Sequence, residues 1–196
     1  MTYLDPRTGT LNAKIVYYGL PSAGRSTNLL HIYDRVRPED KSRLIRIATY
    51  EHHEQLFFDF LARSLSADLG RPLRLHLYEV TCRNDPVDDI YNLKGTDAVV
   101  AVVDSCAHTR GASAHTLAVL RHLLSAQDRD LDDLPLVFQY NKRDLPDALP
   151  IEELEAHLNP ARRPHVEAIA STGVGVLETL RTVAALLLPR LAPATR

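Results

Sequence analysis

The 196-residue chain predicts an α/β fold, a mixed and mostly parallel sheet with helices on both faces. Three observations predict it. The apolar run Ile15-Val16-Tyr17-Tyr18 ends in Gly19-Leu20-Pro21-Ser22-Ala23-Gly24-Arg25-Ser26 and leads into the helix-like Ser26-Thr27-Asn28-Leu29-Leu30. A second apolar run, Leu136-Val137-Phe138-Gln139-Tyr140, ends in Asn141-Lys142-Arg143-Asp144. Elsewhere, apolar runs of strand length alternate with segments of helical period, as βα units require.

Taken in order, residues 1–12 read as a short, poorly specified lead-in, 13–190 as a single domain, and 191–196 as a tail. Lys14 to Tyr18 is the first strand, and the first helix runs to about Val36. Pro38 then breaks it, because proline disfavours helical geometry in the residue before it. Leu44 to Thr49 alternates weakly, and Tyr50 to Gln55 is polar and reads as a loop. Leu56-Phe57-Phe58-Asp59-Phe60-Leu61 and the period-two run Leu73-Arg74-Leu75-His76-Leu77-Tyr78 flank the turn residues Gly70-Arg71-Pro72, which suggests a hairpin. Val80 to Asn92 shows no regular pattern. Ala98 to Val103 is wholly apolar, as in the buried middle of a parallel sheet. Helices are expected over Ala114 to Ala126, Ile151 to Leu158 and Gly175 to Leu188, the last stopped by Pro189, with a final strand at Val166 to Ala170.

Composition bounds the function. At 45% hydrophobic and 24% charged residues, the chain can bury one full core. A net charge of −2 gives no electrostatic reason to bind nucleic acid. Cys82 and Cys106 form neither a metal-ligand spacing nor a disulfide framework. No apolar run reaches the roughly 18 residues of a membrane span, no signal core follows Asp5 and Arg7, and no cysteine closes the chain for prenylation. A cytoplasmic protein without membrane insertion is expected.

The two loops carry the chemistry. Gly19 to Ser26 fits the phosphate-binding pattern G-x-x-x-x-G-K-[ST] except that Arg25 stands for the lysine. Backbone N–H groups of such a loop, with a helix N-terminus behind them, attract anionic oxygens. Asn141-Lys142-Arg143-Asp144 fits N-K-x-D. The Asp144 carboxylate can accept from both the ring N1–H and the exocyclic amine of guanine, a donor pair that adenine lacks. Asn141 can donate and accept at once, tying this loop to the phosphate loop. The stem of Lys142 can cover one face of the base while its head stays wet. A polar turn after a buried strand would also suit N-x-x-D, but both motifs at strand ends in this order favour a guanine nucleotide.

These residues, with Lys14 to Gly19, Leu56 to Leu61, Gln139 to Pro146 and Ser171-Thr172-Gly173-Val174-Gly175-Val176, resemble the Ras-like small GTPases. Over nearly the whole chain they are most similar to the MglA, or mutual gliding-motility, family. The resemblance implies a Ras-like P-loop G domain that binds GDP or GTP with Mg2+. It further implies a switch in cell polarity or motility and a protein partner, a roadblock-fold MglB-like regulator. It places Gly19, Ser22, Ala23, Gly24, Arg25, Ser26 and Thr27 around the phosphates, with Ser26 on the metal and Thr27 at the α-phosphate. Asn141, Lys142, Asp144, Ala170 and Ser171 fall around the guanine, with the Ala170 N–H directed at its carbonyl.

The departures lie on the phosphate side. Arg25 keeps the lysine's charge on a wider, planar head that can crowd the loop or lie outside it. Pro21 takes a glycine position but costs no donor that matters, since those begin at Ser22. Glu79-Val80-Thr81-Cys82-Arg83 stands where the family has T-V-P-G-Q and Ras-like proteins have D-x-x-G-Q. Cys82 thus replaces a glycine and Arg83 the water-orienting glutamine. Glu79 reads equally as a carboxylate serving the ion or as a solvated strand end. Glu54 and Gln55 stand where the family has an arginine and a threonine. An arginine finger is worth roughly 10³–10⁵ in rate, so intrinsic hydrolysis is expected to be very slow.

Three readings follow. The chain is a guanine-nucleotide-binding regulator with damaged hydrolysis, a GTPase whose partner supplies catalytic groups in trans, or a nucleotide-free adaptor. Other candidates are weaker. His52 and His53, beside Glu51 and Glu54, read as a solvated polar loop. His108, His115 and His122 recur at seven-residue spacing as an exposed or partner-facing stripe, and Cys106 reads as a packing residue.

Overall fold

The structure, a computed structural model, describes residues 2–48, 54–81 and 86–191. In chain order it contains β1 (Tyr3–Leu4), β2 (Leu11–Gly19), α1 (Arg25–Arg35), β3 (Ile45–Ala48) and β4 (Glu54–Leu61). These are followed by α2 (Arg63–Leu69), β5 (Leu73–Thr81), α3 (Pro86–Leu93), β6 (Ala98–Asp104) and α4 (Arg110–Ser125). The last elements are β7 (Leu136–Asn141), α5 (Ile151–Leu158), β8 (His165–Glu167) and α6 (Val176–Leu191).

The strands form one sheet in the order β3-β4-β5-β2-β6-β7-β8, with β1 paired to the start of β2. β5, β2, β6, β7 and β8 run parallel, whereas β3 and β4 add antiparallel at one edge. Continuous apolar sequence makes β2, β6 and β7 central, because helices cover both faces there. Leu29 and Ile32 of α1 and Val183, Leu187 and Leu191 of α6 pack on the face that carries Ile15 and Tyr17. Leu93 of α3, Leu120, Leu123 and Leu124 of α4, and Leu154 and Leu158 of α5 pack on the face that carries Val16 and Tyr18. The mixed sheet with helices on both faces is therefore present. The C-terminal ends of β2, β5, β6 and β7 meet along one edge, where open α/β sheets bind ligands.

Several local expectations need correction. Residues 1–12 are not a bare lead-in, since Tyr3 and Leu4 pair with Asn12 and Leu11, and β2 already begins at Leu11. The antiparallel pairing of β4 and β5 holds, but α2 fills the connection ahead of Gly70, whose φ of +65 ends that helix. Pro86 opens α3 within a stretch that lacks a legible period; proline suits a first helical position, and eight residues are too few to show the pattern. Glu54 and Gln55 belong to β4 rather than to a loop. Helix α6 continues through Pro189 because Leu191 is buried against the core, so packing holds the final turn on despite the missing N–H. No helix among the described residues is long and apolar enough to cross a membrane.

Candidate functional site

Gly19 ends β2 and Gly24 opens α1, and each is glycine for a physical reason. A Cβ on Gly19 would stand 2.2 Å from the Val102 carbonyl oxygen of the neighbouring strand. Gly24 has φ +104, and a Cβ there would lie 2.1 Å from Asn141 Nδ2. Ser22 is also left-handed, at φ +61, so the loop alternates handedness in the way that turns successive N–H groups inward. Helix α1 has no side-chain cap and no acidic residue in its first turn. The amides of Arg25, Ser26 and Thr27 therefore begin a helix N-terminus suited to phosphate oxygens. Ala23 is an exception: its N–H donates to the Leu20 carbonyl at 3.2 Å and closes the turn.

The Arg25 side chain passes Gly19, its Cδ 3.7 Å from where a Cβ there would stand, and carries its guanidinium to the end of β5. The side chain is buried, Nη1 donates to the Val80 carbonyl at 2.6 Å, and Nη2 stands 3.5 Å from Glu79 Oε1. The guanidinium thus braces the end of β5. Glu79 is 3% exposed, which removes the reading of a solvated strand-end carboxylate. Ser26 Oγ donates to Glu79 Oε1 at 2.9 Å, while Glu79 Oε2 is buried with no hydrogen-bond partner among the described residues. A hydroxyl beside a carboxylate with one orphaned oxygen is the hard donor set that magnesium takes. Ser26 and Glu79 are therefore the residues that could hold Mg2+ here.

At the end of β7, Asn141 performs both functions of its amide. Nδ2 donates to the Ala23 carbonyl at 2.8 Å, and Oδ1 accepts from the Ala170 N–H at 2.9 Å. Three loops after three different strands are joined through one side chain. The Ala170 N–H is thereby engaged within the protein, and Ser171, exposed on the same turn, offers the neighbouring amide. Lys142, at φ +63, does not leave its head wet: Nζ lies 2.6 Å from Oδ2 of the buried Asp104. Burial alone would raise the Asp104 carboxyl, but the Lys142 ammonium, then the Cys106 thiol and N–H, outweigh it and hold that group below the usual carboxylate range. Asp144 projects from the exposed part of the same loop, and Thr27 is exposed at the start of α1.

Sequence reasoning missed a layer beneath the phosphate loop. Gln139 and Asn28, both fully buried, exchange a pair of amide hydrogen bonds at 2.7 and 2.8 Å. Gln139 Nε2 also donates to Thr179 Oγ1, and Asn28 Nδ2 to the Gly24 carbonyl. A glutamine inside an otherwise apolar strand was the available signal, because such a group buried without partners costs several kcal/mol. The network ties β7 and α6 to the residue that opens α1. Cys82 and Arg83, like Glu51, His52 and His53, lie outside the described residues. His108, His115 and His122 are all exposed.

Residues 86–184 match the ADP-ribosylation factor family. The chain is also 42% identical to the mutual gliding-motility protein MglA of Myxococcus xanthus (strain DK1622), over 97% of this chain and 98% of that protein.

Proposed function

The chain belongs to the Arf/Ras-like small GTPase family that includes MglA, and from that premise we propose that it is a guanine-nucleotide-binding regulator with slow intrinsic hydrolysis. The observation that carries this reading is the pair of hydrogen bonds at Asn141, one donated and one accepted, which holds the base loop, the Ala170 turn and the phosphate loop in one frame. Within that frame Asp144 reads the guanine N1–H and amine, and Lys142 covers a face of the base while Asp104 anchors its head. The Ser171 N–H takes the purine carbonyl in place of the engaged Ala170 N–H. The α1 N-terminus and Thr27 hold phosphate oxygens. Ser26 and Glu79 hold Mg2+, which when bound neutralises charge on the phosphates.

The hydrolytic half rests on the sequence. Arg83 stands in place of the water-orienting glutamine, and Glu54 and Gln55 in place of the family's arginine and threonine. Charge accelerates phosphoryl transfer only when aimed where it develops, so a cation at Arg83 does not replace an oriented water. Bound nucleotide then acts as a ligand that sets which partner surface is presented. By its likeness to a mutual gliding-motility protein, the chain serves cell polarity or motility through a protein partner of the roadblock fold.

Two other readings remain distinct. In one, a partner completes the site in trans, and adding it raises phosphate release by about 10³ or more. In the other, the chain carries no nucleotide. Denaturing the purified protein and separating the released small molecules by ion exchange tests the binding claim. One equivalent of GDP or GTP is expected, and a blank trace after incubation with excess Mg2+ and nucleotide would overturn the proposal.

A further inference from the structure

Beyond the nucleotide pocket, the connection after β6 and the segment after Asp144 bring a thiol, an imidazole and a carboxylate together. The ligand atoms of Cys106, His108 and Asp147 all lie within 4.8 Å of one another. His108 Nδ1 and Asp147 Oδ2 are 3.4 Å apart. Two ligands held tetrahedrally at zinc distances of about 2.0–2.2 Å stand roughly that far from each other. Cys106 is 1% exposed, whereas His108 and Asp147 are exposed, so the sulfur forms a floor and the other two groups a rim.

The frame beneath them is fixed by backbone. Cys106 bridges to Ala148, the Ala107 N–H donates to the Asp147 carbonyl at 3.2 Å, and the Leu149 N–H donates to the Ser105 carbonyl at 2.9 Å. That frame fixes the Cys106 sulfur, and His108 and Asp147 are the two exposed side chains that would close on it. We propose that Cys106, His108 and Asp147 form a zinc-binding site, with a water molecule completing the fourth position.

The local charge favours a dication. The exposed Asp147 carboxylate, beside the sulfur and the imidazole, places negative charge at the mouth of the cluster, and a dication relieves it. The nearby cations are already committed, Lys142 to Asp104 and Arg110 to Glu153. On binding, the S–H bond breaks, a Zn–S bond forms, and the proton leaves to solvent. A sulfur and imidazole pair selects zinc over magnesium or calcium, which take oxygen ligands. Sequence spacing could not reveal the site, because Asp147 joins the other two ligands only through the fold. Metal there would clamp the β6–α4 connection to the segment that follows Asp144.

Cobalt titration of the full reduced chain, saturated with Mg2+ and GDP so that oxygen-ligand sites are filled, tests the proposal. Tetrahedral cobalt bound through sulfur gives a near-ultraviolet sulfur-to-metal charge-transfer band and intense visible bands. Both are expected in the parent and in Cys82→Ser, and absent from Cys106→Ser, with one equivalent of zinc displacing the cobalt. His108→Ala removes an exposed group and should leave folding intact. It is expected to weaken cobalt binding by at least about tenfold, since even outer-shell changes cost that much. The proposal is overturned by a parent without the charge-transfer band, by a band that survives Cys106→Ser, by its loss in Cys82→Ser, or by His108→Ala binding cobalt as tightly as the parent.

Discussion

Replacing Asn141 with alanine separates the scaffold of the pocket from its specificity. The substitution removes two hydrogen bonds and strands two groups, the Ala23 carbonyl and the Ala170 N–H, on residues that are 0% and 3% exposed. An unsatisfied buried polar group costs about 1–3 kcal/mol, so the simple sum is about 2–6 kcal/mol. Water entering the vacated space beside the exposed loop relieves part of this, and about 2–4 kcal/mol is expected. Urea unfolding of the nucleotide-free protein reads the loss directly. The parent should also gain about 2.7 kcal/mol from GDP at 100 times its dissociation constant, a gain the variant lacks. Asp144→Asn is the contrast. Asp144 is exposed, so nucleotide-free stability should stay within about 0.5 kcal/mol of the parent. Its GDP stabilisation should disappear and return with xanthosine diphosphate. Nucleotide-free Asn141→Ala unfolding at the parent's midpoint would refute the idea that this side chain holds three loops together.

Three further outcomes follow from the phosphate side and its neighbour. Arg25→Lys frees a cation from the Val80 carbonyl; nucleotide affinity by fluorescence titration should rise about tenfold or more, as one charged hydrogen bond provides, and an unchanged value would clear the arginine of blame. Glu79→Gln removes the carboxylate beside Ser26, so chelating Mg2+ should no longer speed nucleotide release; an undiminished chelator effect would remove Glu79 from the metal site. Asp104 has a lowered folded pKa, so its stabilising contribution is present above the unfolded value near 3.9 and lost as pH falls through the folded one. Lys142→Met leaves the buried carboxylate unpaired and should move acid unfolding to higher pH, whereas a superimposable acid transition would show that the pair contributes nothing.

The central parallel strands were legible because burial on both faces forces continuous apolar sequence, as in Ala98 to Val103. The loops after β2 and β7 were legible because their backbone demands specific residues, glycine at Gly24 above all. Short elements were not. The two residues of β1 and the eight of α3 are too few to show a period, and α6 runs past Pro189 because a buried leucine further on outweighs a local preference. Pairings between distant residues were equally invisible. Nothing along the chain says that Arg25 reaches the end of β5, that Lys142 meets Asp104, or that Asn28 meets Gln139.

The proposed function requires that this chain hold guanine nucleotide and scarcely hydrolyse it unaided. Loading the isolated protein with GTP and Mg2+, removing the excess and quantifying bound GTP and GDP over time tests that most directly. The bound pool is expected to remain GTP at or below the intrinsic Ras rate of roughly 3–5 × 10⁻⁴ s⁻¹. Conversion at several per second, the rate of a site completed by an arginine finger, would contradict it.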